Sequence, residues 1–208
     1  MAYMAEPKFG FLWRLLTTIV LFSITTYPSV VTVATADSNE TYKNQQYGFT
    51  LKYPSIYKLK TFGRGGFDLI REDRIILRAS IEDDVFKIFI KESENKENLF
   101  LDFARERARV ICAADGPDGS SYCGAIVSER QYTSTNGLNC LEFYLLMTRE
   151  DYSTETKHLS KVGPVHVVDI SKEERPLALM IFPGYGKAAP TSTELLMKEV
   201  VDTIKLAP

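Results

Sequence analysis

The sequence predicts an α+β fold, an α/β/α sandwich around a mainly antiparallel sheet, and three observations predict it. First, Tyr47, Phe49, Leu51 and Tyr53 alternate with Gly48, Thr50 and Lys52, the period of a strand with one apolar face. Pro54 then removes a ladder donor and ends that strand. Second, the stretches Leu138 to Arg149 and Leu177 to Phe182 are apolar on both faces, as strands covered on two sides are. Third, Lys96 to Cys112 and Ser192 to Leu206 repeat their apolar residues every three to four positions, the period of helices able to supply that cover. At 208 residues the chain is long enough for one domain with a proper core and too short for two comfortable ones.

The domain is expected to begin after an export signal. Lys8 and Arg14 precede the apolar run Leu15 to Ile24, and Ala34-Thr35-Ala36 has the small-residue spacing that signal peptidase requires. Residues 1–36 therefore read as a cleaved signal peptide and 37–46 as a flexible polar lead, with a single domain over 47–208. An uncleaved anchor competes with this reading, because no charge lies between Leu15 and Ala36; the interspersed threonines and serines and Pro28 weigh against it. Cys112 is the first cysteine, so no thiol lies near the processing site to carry a lipid.

Loss of Lys8, Arg14 and Glu6 with the leader moves the formal net charge from −2 to about −3. A nearly neutral domain without a Lys/Arg run argues against nucleic acid and against an anionic membrane surface, and implies no stable membrane insertion after cleavage. The expected location is periplasmic or secreted. Asn39-Glu40-Thr41 matches a glycosylation acceptor, a short pattern that recurs by chance.

After Tyr57, the run Gly63-Arg64-Gly65-Gly66 reads as a hairpin turn rather than a phosphate cradle, since neither Lys-Ser/Thr nor a helical period follows. Phe67 to Arg71, Arg74 to Ile81 and Val85 to Lys91 are expected as an antiparallel meander, with Glu72-Asp73 and Asp83-Asp84 as solvated turns. In the helix that follows, Leu99, Phe100, Phe103, Ala104, Ala108 and Ile111 form the apolar stripe. Asp102 and Glu106 lie one turn apart among arginines, so they read as members of a surface ion-pair lattice rather than an acid–base pair.

Cys112 and Cys123 bracket a loop of turn formers, which in an exported protein makes them a disulfide candidate. Asp115 and Asp118 in that loop could ligate calcium with backbone carbonyls, although their spacing departs from the Asp-x-Asp-x-Asp-Gly loop. Asn136-Gly137 predicts a two-residue hairpin that sets Thr133 opposite Cys140 and Glu129 opposite Tyr144. Cys123 then lies roughly 30 Å along the ladder from Cys140, which leaves Cys140 as a free, buried thiol without a neighbouring base.

Asp151 to Lys161 is polar and expected as a loop, followed by a strand from Pro164 to Ile170. His158 falls in that loop, whereas His166 alternates with Val168 and Ile170 and reads as a hydrogen-bonded histidine near the core. The last loop, Gly184-Tyr-Gly186-Lys187, fails as a phosphate loop because Ala188 follows the lysine, and Thr191 to Glu194 has the spacing of a capping box.

The opening Tyr47-Gly48-Phe49-Thr50-Leu51-Lys52-Tyr53-Pro54, the antiparallel sheet and a carboxy-terminal helix starting at a Thr/Ser cap resemble the PsbP-like proteins. That family includes photosystem II extrinsic subunits, related exported bacterial proteins and the Ran-binding Mog proteins. The resemblance implies an α/β/α sandwich and a non-enzymatic binding or assembly role. The octapeptide is its specific part, and the remainder is likeness of layout. The cysteine-bracketed loop departs from the family pattern, and no metal-binding residue of the photosynthetic members maps onto this chain.

These readings lead to an exported, non-enzymatic module that docks on a protein partner, with no cofactor implied. Two alternatives remain open. A metal-dependent hydrolase would assemble a site from Asp115, Asp118, His158 and His166, which requires the two histidines and a carboxylate to converge. A carrier of a small apolar ligand would require a cavity of several hundred Å³ between sheet and helix.

Overall fold

The computed structural model describes residues 38–94, 97–113, 121–151, 156–172, 175–184 and 191–207. All of them belong to the unit Asp37–Pro208. Its strands are β1 (Asn39–Asn44), β2 (Phe49–Pro54), β3 (Lys58–Phe62), β4 (Gly66–Arg71), β5 (Arg74–Glu82), β6 (Ser121–Thr133), β7 (Asn139–Asp151), β8 (Thr156–Asp169), β9 (Ala178–Pro183) and β10 (Lys205–Leu206). Three helices, α1 (Asp84–Glu92), α2 (Leu99–Ala113) and α3 (Thr191–Thr203), complete the described elements.

A seven-stranded antiparallel sheet in the order β3-β4-β5-β9-β8-β7-β6 forms the middle layer, and β1-β2-β10 forms a small second sheet. The run Leu177 to Phe182 shows why the sheet must be central. Leu179 and Ile181 pack into one core with Leu196, Met197, Val200 and Val201 of α3, while Ala178 and Met180 pack into another with Phe100, Phe103 and Ala104 of α2. A strand whose successive side chains are all apolar needs cover on both faces, and here it has it. The expected α/β/α sandwich is therefore the observed architecture.

The turn between β4 and β5 has the expected acidic residues, Glu72 and Asp73, both at positive φ (50° and 57°) as a type I′ turn requires. Val85 to Lys91, however, is not the third strand of a meander but most of α1. Its apolar residues fit both periods over so short a run; Phe86, Phe89 and Ile90 share a helical face that stacks on Phe103, with Phe86 and Phe103 centroids 4.2 Å apart. Asp83 caps this helix, accepting from the Asp84 amide at 2.6 Å, so the acidic pair begins a helix instead of joining two strands.

Four further boundaries differ from expectation. The polar lead contains β1, which pairs with β2 from Asn39↔Pro54 to Asn44↔Phe49; as the outer strand it keeps most side chains in solvent, so it lacks an apolar signal. The polar stretch before Lys161 is likewise strand, its first six residues exposed but paired with β7. The last helix stops at Thr203, and Leu206 instead pairs with Phe49 in β10.

The fourth is the hairpin register, which is shifted by one. Tyr132 faces Cys140, Thr133 faces Asn139, and Val127 faces Tyr144 after a bulge at Ser128, whose φ is 56°. Gly137 has positive φ whereas Asn136 does not, and Ser134 bonds both Gly137 and Leu138 through its backbone, the pattern of a three-residue loop with a glycine bulge. Asn136 serves elsewhere: its amide donates to the carbonyls of Asp202 (2.7 Å) and Ile204 (3.0 Å), which the end of α3 leaves without helical partners.

Candidate functional site

Two arrangements stand out, one polar and one apolar. The polar one lies on the α3 face of the sheet, where β6, β7 and β8 place Tyr132, Cys140, Glu142 and His166 side by side. The Tyr132 hydroxyl is 2.9 Å from Nδ1 of His166, Glu142 is 3.8 Å from the same nitrogen, and Arg130 binds Glu142 at 2.8 Å. His166 is 1% exposed. Burial, which disfavours the charged form, pushes its pKa down to about 4, against a smaller upward pull from Glu142. Burial also drives the Tyr132 phenol well above its usual value, so tyrosine and imidazole both remain neutral at pH 7.

Cys140 is buried and unbonded, as the sequence suggested, and burial raises its thiol to about 12. The thiol donates to the Leu138 carbonyl at 3.4 Å. A protonated thiol beside a shielded imidazole is suited to packing, not to attack on a substrate. His158 lies eight positions before His166 on the same strand, which separates them by roughly 26 Å. Its ring contacts Thr156 at 3.2 Å. The two histidines are thus not brought together, and the hydrolase site that required both does not form. Asp115 and Asp118 lie outside the described residues. Among the described residues no group of three His, Cys, Asp or Glu side chains is placed to hold a metal.

The apolar arrangement is a groove of about 450 Å³ on the opposite face, beside the last turn of α2. Leu145 and Met147 of β7 and Val162 and Val165 of β8 form its floor, with Phe182 of β9 beside them. Ile111 of α2 and Ile75 of β5 form its walls, and Arg78 lies at its rim. Val162 and Val165 are three positions apart and would face opposite ways in a regular strand. The bulge that sets Val162 against Leu145 and Val165 against Phe143 turns both to the same side. Arg78 is held by Asp68 through two bonds, Nε to Oδ1 at 2.7 Å and a terminal nitrogen to Oδ2 at 2.9 Å.

Cys112 and Cys123 form a disulfide, with Cα atoms 4.8 Å apart, that ties the end of α2 to β6. Arg105 bonds Glu129 at 2.9 Å and joins the same two elements two turns earlier. The wall carrying Ile111 is therefore fixed covalently. Gly184 closes the other end: a Cβ there would collide with the Ile75 carbonyl, so only glycine permits this approach of the two chains. A second recess, about 520 Å³ and more open, lies between α1 and α2 and is lined in part by Lys87 and Lys91. Sequence reasoning named a cavity of several hundred Å³ between sheet and helix as the mark of a ligand carrier but missed which residues line the groove, because they come from five elements and converge only through sheet order and the β8 bulge.

No protein-family profile and no curated protein matches the sequence. Among solved structures, the chain is similar to cyanobacterial PsbP from Synechocystis, with 11% identity over 82% of this chain and 94% of that one, at a TM-score of 0.50. It also aligns with the Ran-binding protein Mog1p of Saccharomyces cerevisiae, at 8% identity over 82% and 96% of the two chains, with a TM-score of 0.42. A Bacteroides thetaiotaomicron protein aligns at 14% identity over 81% of this chain and 48% of that one, at 0.32. The likeness to cyanobacterial PsbP establishes a PsbP-like fold, and at this identity it establishes the fold alone.

Proposed function

We propose that this chain is an exported, non-enzymatic binding or assembly module that loses residues 1–36 and docks on a protein partner in the periplasm or outside the cell. The observation that carries the reading is the state of its reactive side chains. Cys140 is a buried thiol held protonated, and His166 is sealed beside Tyr132, which supports a role carried by the surface of the fold rather than by these two side chains. The disulfide supports export, since such bonds persist in oxidising compartments. Among the described residues no helix is long and apolar enough to cross a membrane.

The test is mild crosslinking in the host's intact envelope, followed by recovery of the protein and mass spectrometry of what comes with it. The expected result is a mature chain beginning at Asp37, crosslinked to one partner in stoichiometric amount. Recovery of the chain alone, together with measurable turnover of a substrate by it, would overturn the reading.

A further inference from the structure

We propose that the groove beside the end of α2 binds an uncharged, predominantly apolar small molecule. This goes beyond the docking reading and does not depend on it. The volume of about 450 Å³ falls within the roughly 300–1,000 Å³ typical of small-molecule sites. A groove of this size admits several waters. Leu145, Met147, Val162, Val165 and Phe182 offer those waters no hydrogen bond, so an apolar occupant that releases them is favoured.

The rim decides the charge class. Both carboxylate oxygens of Asp68, whose side chain is 6% exposed, already grip Arg78, so the mouth presents a neutralised pair. An anionic headgroup would leave water for a guanidinium whose charge Asp68 already balances, and a cationic one would find both Asp68 oxygens taken, so each would lose hydration without gaining a free counter-charge. An uncharged molecule incurs neither cost. The site is also built before anything enters it. The disulfide fixes the helix that carries Ile111, the β8 bulge aims both valines inward, and the Gly184 backbone is pressed against Ile75. A site that need not be ordered on binding keeps more of its interaction energy as affinity.

The test uses protein expressed from all 208 residues, in the form the host leaves after processing, titrated with the neutral fluorophore N-phenylnaphthylamine and its anionic analogue anilinonaphthalene sulfonate. Saturable binding of one neutral probe per chain is expected, with the anionic analogue about tenfold weaker or worse. Met147→Glu places a charge in the floor and Ile75→Trp fills the groove; each should weaken the neutral probe by about tenfold or more. Circular dichroism and melting of both variants establish that they fold, and either folded variant suffices for the comparison. No saturable signal from the wild-type protein, affinity unchanged in a folded variant, tighter binding of the anionic probe, or a signal that tracks self-association would each overturn the proposal.

Discussion

His166 was legible as a core histidine from its alternation with Val168 and Ile170, but its partners were not, because Tyr132 and Glu142 reach it from two other strands. Its burial has a pH consequence. An ordinary histidine takes its proton near pH 6.5, whereas His166 in the fold does so only near 4. Between these values the unfolded chain binds a proton that the folded chain does not, so acid favours unfolding. The contribution is fully present above pH 6.5 and is lost as pH falls towards 4, a change of roughly 3 kcal/mol. Denaturant midpoints measured across that range should fall for the wild-type protein and fall less for His166→Gln, which has no proton to gain. An equal slope in the two proteins would show that other groups are responsible.

Among the elements, α1 is the clearest case of a sequence that fits two periods. Seven residues with five apolar positions satisfy strand alternation nearly as well as a helical stripe, and nothing within Val85 to Lys91 breaks the tie. Phe103 breaks it from outside, by offering a surface that Phe86 and Phe89 meet only at helical spacing. Asp83 contributes at the start of the helix, where its Oδ1 accepts from Asp84 and its Oδ2 accepts from the Tyr47 hydroxyl at 3.3 Å. Asp83→Ala should therefore cost about 1 kcal/mol in equilibrium unfolding, the size of a lost cap. A change indistinguishable from zero would mean that the cap is replaced by water. Strands β1 and the first half of β8 escaped notice for the opposite reason: they are held by ladder bonds at positions whose side chains are in solvent, so they carry no apolar period at all.

At the scale of the whole molecule, the Cys112–Cys123 bond joins one outer layer to the last strand of the sheet. Reducing it should destabilise the fold by roughly 3 kcal/mol in the chain-entropy view. Under native conditions without reductant, thiol reagents should modify no cysteine, and after denaturation they should modify Cys140 alone. Labelling of all three cysteines without reductant would contradict the bond, and an unchanged melting point after reduction would contradict its role. The disulfide candidate, the layered sandwich, the strand from Phe49 and the two covering helices were all readable along the chain, because each is written in spacing: alternation, a helical stripe, or two cysteines around a short loop. The hairpin register, the helical state of Val85 to Lys91 and the groove were decided by tertiary structure. Asn136 docks on the end of α3, Phe103 selects the period of α1, and a bulge in β8 turns Val162 and Val165 to one side. Each outcome depends on a contact between residues far apart in sequence, and local periodicity carries no information about which distant surface a segment will meet.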